Sequence, residues 1–151
     1  MSSWKNEYRS FYYENAPEPD DIVINKGSSA LLVIDIQNTY LEPDDDPNEA
    51  ARWVPFYTRM NNIVIPKTVE MVQWARVNEI EVIFARIACL KEDGRDRSLS
   101  QKKPGFNYLL MPKNSEESQI VKELSPQRDE ICVIKTTDSA LTGTNLRLVL
   151  H

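Results

Sequence analysis

The chain has 151 residues, 18 Lys and Arg against 23 Asp and Glu, a net charge of -5 and a pI near 5.0. That length fits one domain, and the acidic balance argues against a general nucleic-acid binder, which carries a basic face. No apolar run reaches the roughly 18 residues a membrane span needs. The N-terminus carries no signal-peptide core, and Cys89 and Cys132 stand far apart, so a reducing, cytoplasmic setting is expected.

Residues 1–27 are aromatic and acidic. Trp4, Tyr8, Phe11 and Tyr12 have helical spacing ahead of Pro17-Glu18-Pro19-Asp20-Asp21, and the stretch is read as an arm packed across the domain or a partner subunit. Leu31, Leu32, Val33 and Ile34 then run directly into Asp35. Such a continuous branched apolar run reads as a strand buried in a parallel sheet, with Asp35 near its carboxyl end, where α/β folds collect their chemistry. Pro43, Pro47 and the acids between them read as a solvated loop. Calcium binding is disfavoured because the loop lacks both the D-x-D-x-D-G spacing and the distal Glu.

A helix is expected over residues 56–78, with Val69, Val72 and Ala75 on one face and Pro66 starting or kinking it. Residues 79–90 give a second strand with Arg86 near its carboxyl end. Cys89 reads as a packed thiol, since no base near it in sequence would activate it. A long polar loop follows, either solvated or clamping a substrate through Arg95 or Arg97. Asn114 and Glu117 have capping-box spacing and predict a short helix whose Ile120, Val121 and Leu124 face inward, stopped by Ser125-Pro126. Residues 130–135 form a third strand ending in Lys135. Another helix begins near Thr142, with Leu146, Val149 and Leu150 inside.

Strands alternating with helical segments predict an α/β fold, a Rossmann-like parallel sheet with helices on both faces. In the order 3-2-1-4-5-6 these strands are the 3-2-1 half. The Asp35 strand would then be an open edge, and the chain is expected to hold only the first half of the sheet. Asp35 and Lys135 fall at one rim, where they converge on a pocket or serve as a turn residue and a snorkelling lysine. Of the four glycines, none makes a Gly-rich turn after the first strand, which argues against a nucleotide site. The one histidine, His151, gives no His-dependent metal site, and no cofactor is expected.

Two segments carry a resemblance. Leu32-Val-Ile-Asp-Ile-Gln-Asn-Thr-Tyr40 resembles the opening signature of the isochorismatase-like cysteine hydrolases, commonly V-I-D-x-Q-N-D-F. Val133-Ile-Lys-Thr-Thr-Asp-Ser-Ala-Leu-Thr-Gly-Thr-Asn-Leu146 resembles that family's lysine segment, K-x-x-x-S-A-F-x-G-T-x-L. The resemblance implies a three-layer domain over residues 28–151, preceded by the arm 1–27 and truncated on its C-terminal side. It also implies that a cysteine attacks an amide or ureido carbonyl, with Asp35 taking the thiol proton and returning it to the leaving nitrogen. Lys135 would hold the thiolate and Asp35 in place, and backbone N–H groups would form the oxyanion hole. Tyr40 and Arg86 are the expected substrate-binding residues, and a carboxylate on the substrate would suit Arg86, Arg95 or Arg97.

The family nucleophile ends a fourth strand, at a position matched by neither Cys89 nor Cys132, so it is expected outside residues 1–151 and this chain alone is expected to be inactive. Thr136, Thr137, Asp138 and Leu141 depart from the family's aromatic positions and leave the substrate open. The first loop lacks the metal-binding histidines of nicotinamidase-type relatives. The alternatives are an isochorismatase-type vinyl ether hydrolase and an inactive, truncated interaction module that uses its open edge and aromatic arm. Expected partners are a small-molecule substrate and either further copies of the chain or a complementary C-terminal chain, with no nucleic acid or membrane.

Overall fold

Three branched apolar runs form one parallel sheet in the computed structural model, which describes residues 4–7, 9–103 and 110–151. Strand β1 is Ala30–Ile34, β2 is Glu81–Ile87 and β3 is Ile131–Lys135. Their order is β1-β2-β3, with Val33 beside Phe84 and Ile87 beside Lys135. The expected 3-2-1 arrangement is therefore present, and β1 is an edge. Ile34 at its end is 46% exposed.

Because side chains alternate across a strand, the sheet has two distinct faces. Val33, Val82 and Phe84 meet Val72 and Ala75 of helix α3 (Ile65–Val77) and the segment bearing Ile120, Val121 and Leu124. The other face joins Ile83, Ala85 and Val133 to Ala140 and Leu146, with Leu32, Ile131 and Val149 alongside. Full burial of a side chain such as Phe84 contributes about 1.5–3 kcal/mol, so the central strand anchors the domain.

The helical segments differ more from expectation. The helix expected over residues 56–78 begins at Pro47. Helix α2 (Pro47–Arg59) is capped by Asp46, whose side chain accepts from the Asn48 N–H at 2.9 Å, and Pro47 occupies the first turn, where a missing N–H costs nothing. It runs through a π turn, Met60–Val64, into α3 (Ile65–Val77). Pro66 lies in the first turn of α3, just past the wider π turn. Val72 and Ala75 face the core as expected.

Residues 114–119 form no helix, and only Lys122–Leu124 makes a 3-10 turn. The segment's backbone groups bond to distant residues instead: the Gln119 and Glu117 carbonyls accept from the Asn38 and Thr39 N–H, and just beyond them the Val121 N–H donates to the Ile36 carbonyl. Ile120, Val121 and Leu124 are still buried. The last helix, α5 (Leu146–Val149), starts from Asn145 rather than Thr142, and it buries Leu146 while Leu150 stays half exposed.

Among its described residues the arm folds largely on itself and meets the domain only at its end, where Lys26 pairs with Glu79. Lys5 pairs with Asp21 at 2.7 Å, Arg9 donates to the Ala16 carbonyl at 2.7 Å, and Phe11, Tyr12 and Tyr13 are exposed. Tyr8 lies outside the described residues. Helix α1 (Trp4–Glu7) opens the arm, and α4 (Leu99–Lys102) lies in the polar loop after β2. Among the described residues no helix is long and apolar enough to cross a membrane.

Candidate active site

Strand β1 stops at Ile34 because the next residue turns left-handed. Asp35 has φ 57°, a conformation that few residues other than Gly, Asn and Asp adopt readily. Its N–H still donates to Ala85 of β2 at 2.9 Å, so the main chain stays fixed while it leaves the sheet. The Asp35 carboxylate meets Lys135 Nζ at 2.8 Å through Oδ2. Since β1 and β3 flank β2, the lysine side chain reaches across the carboxyl end of β2 to make this pair.

Lys135 is 1% exposed, so it does not snorkel into water. Nζ also donates to the Thr137 carbonyl at 3.5 Å. A buried ammonium is costly unless it is paired, and Asp35 supplies the counter-charge. Asp35 Oδ1 is buried and has no hydrogen-bond partner. An ionised carboxylate with one oxygen held by lysine and the other free is an acceptor ready for an incoming proton.

Gln37 locks this rim. It is fully buried, accepts from the Ile87 N–H at 2.8 Å, and donates to the Ile87 and Ser118 carbonyls at 2.9 and 2.8 Å. In effect its side chain continues the ladder past the end of β1. Asn38–Tyr40 form a single 3-10 turn. Burial pushes the Tyr40 phenol above its ordinary pKa, the Asp35 charge adds to that, and Arg97 opposes it. Tyr40 therefore stays a protonated donor at neutral pH, within the electrostatic reach of Asp35.

Arg86 is not part of this group. It lies in register with Ile134 rather than Lys135, so it projects from the opposite face of the sheet. Its guanidinium donates to the Ser118 carbonyl and hydroxyl, both at 2.9 Å, and to the Lys113 carbonyl at 2.9 Å. It thus ties the segment 113–118 to β2.

Neither thiol hydrogen-bonds Asp35 Oδ1. Cys89 is 1% exposed and packed, as expected, with its backbone joined to Met111 and Lys113. Cys132 shares the Arg86 face, and burial raises its pKa while Arg86 partly offsets the shift.

The loop after β2 contributes more than its polarity suggested. Arg97 is only 7% exposed, whereas Arg95 pairs in solvent with Asp93 at 3.0 Å. The Arg97 guanidinium donates to the buried Gln101, which donates in turn to Asp138, three residues after Lys135. Ser98 N–H donates to the Thr136 carbonyl at 3.3 Å, pinning the loop to the segment that follows Lys135. Gln37 and Asp138 lie inside the two motifs, but the motif spacing assigns them no role. No local pattern marks Gln101.

Residues 29–151 match the family profile described as the isochorismatase domain. No curated protein matches the chain. Among solved structures, a cysteine hydrolase from Pseudomonas syringae pv. phaseolicola 1448A is 23% identical with a TM-score of 0.63, the match covering 84% of this chain and 55% of that one. An isochorismatase family protein from Burkholderia thailandensis is 24% identical with a TM-score of 0.60, covering 84% and 59%. N-carbamoylsarcosine amidase from Thermoplasma acidophilum is 18% identical with a TM-score of 0.56, covering 82% and 60%. The likeness is one of fold, and the match spans little more than half the length of these structures.

Proposed function

Since this chain belongs to the isochorismatase family, a family of hydrolases, we propose that it carries the acid–base part of a cysteine hydrolase site acting on the amide or ureido C–N bond of a small molecule. The observation that supports this reading is the buried Lys135–Asp35 pair, 2.8 Å apart, with Asp35 Oδ1 left free.

Asp35 Oδ1 accepts the proton of a cysteine thiol, and the adjacent ammonium of Lys135 stabilises the thiolate. The sulfur attacks the carbonyl carbon. As the tetrahedral intermediate collapses, Asp35 returns the proton to the departing nitrogen and the C–N bond breaks. The thioester left behind is hydrolysed by a water molecule that Asp35 deprotonates, and the free thiol is regenerated. Backbone N–H groups beside the cysteine would hold the developing oxyanion.

The nucleophile in this proposal is neither Cys89, which is packed, nor Cys132, which lies on the other sheet face. It is instead supplied by sequence outside residues 1–151. Tyr40, a protonated donor within the electrostatic reach of Asp35, contacts the substrate. A reduced thiol suits the cytoplasmic setting expected from composition.

The test is turnover of amide, ureido and vinyl ether substrates by the polypeptide of the complete reading frame and by residues 1–151. Release of amine or ammonia by the complete polypeptide, lowered about 10²–10⁴-fold in Asp35→Asn, supports the assignment. Vinyl ether cleavage in place of C–N cleavage would move the substrate class to the isochorismatase reaction. Turnover by residues 1–151 that depends on Cys89 or Cys132 would defeat the assignment of the nucleophile.

A further inference from the structure

We propose that Arg97 anchors a carboxylate on the substrate, so that this rim selects small amides that carry a second, anionic end. The inference rests on the hydrolase reading for the position of the reacting bond, though not for the binding of the anion.

The argument starts from how the internal arginines are satisfied. Arg76 is held by both oxygens of Glu130, at 2.7 and 2.8 Å. Arg86 has three acceptors on the segment 113–118. Arg97 is as buried as Arg86, yet among the described residues its guanidinium donates only to Gln101, makes no ion pair, and leaves Nε buried without a partner. A buried guanidinium held by one neutral acceptor is incompletely compensated.

Asp138 accepts from the Gln101 amide, so a neutral side chain links the guanidinium to the carboxylate. The arrangement fixes the guanidinium in place without neutralising it. The loop bearing Arg97 is also tied at Ser98 to Thr136, the residue after Lys135, which sets the cation on the same rim as Asp35.

A second observation has the complementary sign. Three buried side-chain polar atoms lack partners among the described residues: Asp35 Oδ1, Arg97 Nε and Ser115 Oγ. The first two belong to this rim, one an acceptor and the other a cationic donor. Tyr40 lies between their influences, since both Asp35 and Arg97 act on its phenol. A ligand with a donor at its reacting end and a carboxylate at the other would satisfy both atoms. Asp35, Lys135, Arg97 and Asp138 are the charged groups tied into this rim, and of the two cations only Arg97 lacks a carboxylate partner among the described residues.

Calorimetric titration of the intact chain with succinamate and glutaramate, each against its neutral diamide, tests the proposal. The expected result is binding of one of the acids about tenfold or more tighter than its diamide. The preference should be lost in Arg97→Met and partly kept in Arg97→Lys, with thermal melts confirming that both variants fold. Equal binding of acid and amide, a preference that survives Arg97→Met, or no acid binding at all would overturn it. If neither variant folds, the acid-over-amide ratio of the unmodified chain, read with and without competing sodium propionate, decides the matter. In that case competition of propionate for the acid alone supports the proposal, and no competition overturns it. Acid preference without C–N cleavage by the complete polypeptide would leave the anchor standing and remove the hydrolase reading. Cleavage with no acid preference would do the reverse.

Discussion

Asp35 and Lys135 share one ion pair but not one environment. The lysine side chain is 1% exposed and the aspartate 33%. Removing the carboxylate strands a buried ammonium, while removing the ammonium leaves a carboxylate that water can reach. Asp35→Ala should therefore cost about 3–5 kcal/mol, to which a non-glycine residue at φ 57° without a polar side chain adds about 1 kcal/mol. Lys135→Met should cost clearly less. Urea unfolding of both variants gives the comparison, and equal losses would mean the pair is solvated alike on both sides. Asp35→Asn tolerates the left-handed backbone and so isolates the charge.

Away from the rim, hydrogen bonds from Arg76 hold the Glu130 carboxyl below its ordinary value of 4.5. Its folded pKa lies below the unfolded one, so the stability it contributes is present above pH 4.5 and is lost as pH falls through the folded value. Glu130→Gln should flatten that part of the stability profile. An unchanged acid slope would show that other carboxylates govern it.

The strands were legible in the sequence because each is a short, continuous apolar run, a pattern that needs no knowledge of partners. The helices were not. Pro47 reads equally as loop punctuation or as a helix's first residue, and only the Asp46 side chain bonding Asn48 decides. Asn114 and Glu117 have the spacing of a helix cap, yet the segment forms successive turns held by bonds to residues 36–39, which no local pattern reveals. The same limit applies to the site. Asp35 and Lys135 could be found from their places at strand ends, whereas the burial of Gln37, Arg97 and Gln101 depends on residues far away in sequence.

Gln37 is the clearest case, since one side chain joins β1's exit to both β2 and the segment 113–120. Gln37→Ala should leave the Ile87 N–H and carbonyl buried without these partners, while the Ser118 carbonyl keeps its bond from Arg86, and cost roughly 2–4 kcal/mol by thermal or urea unfolding. A loss below about 1 kcal/mol would mean that water replaces the amide.

At the scale of the whole molecule, the sheet carries an unpaired edge at β1, with Ile34 half exposed and no lysine or proline within the strand to blunt it. Residues 1–151 should self-associate with rising concentration in sedimentation velocity, and Ile34→Lys should shift the distribution toward monomer. A wild-type chain monomeric at high concentration would show that the edge is already protected. The route of the chain through the sheet has a further consequence, one of timing. Asp35 lies before the first crossover and Lys135 after the second, so their contact forms only when both crossovers have closed, and parallel sheets close slowly because distant strands must meet. On a ribosome Asp35 emerges long before its partner exists. In refolding, the ion pair should belong to the late side of the barrier, so that Asp35→Asn speeds unfolding and leaves the folding rate nearly unchanged. The charge that defines the site would then be the last contact to form.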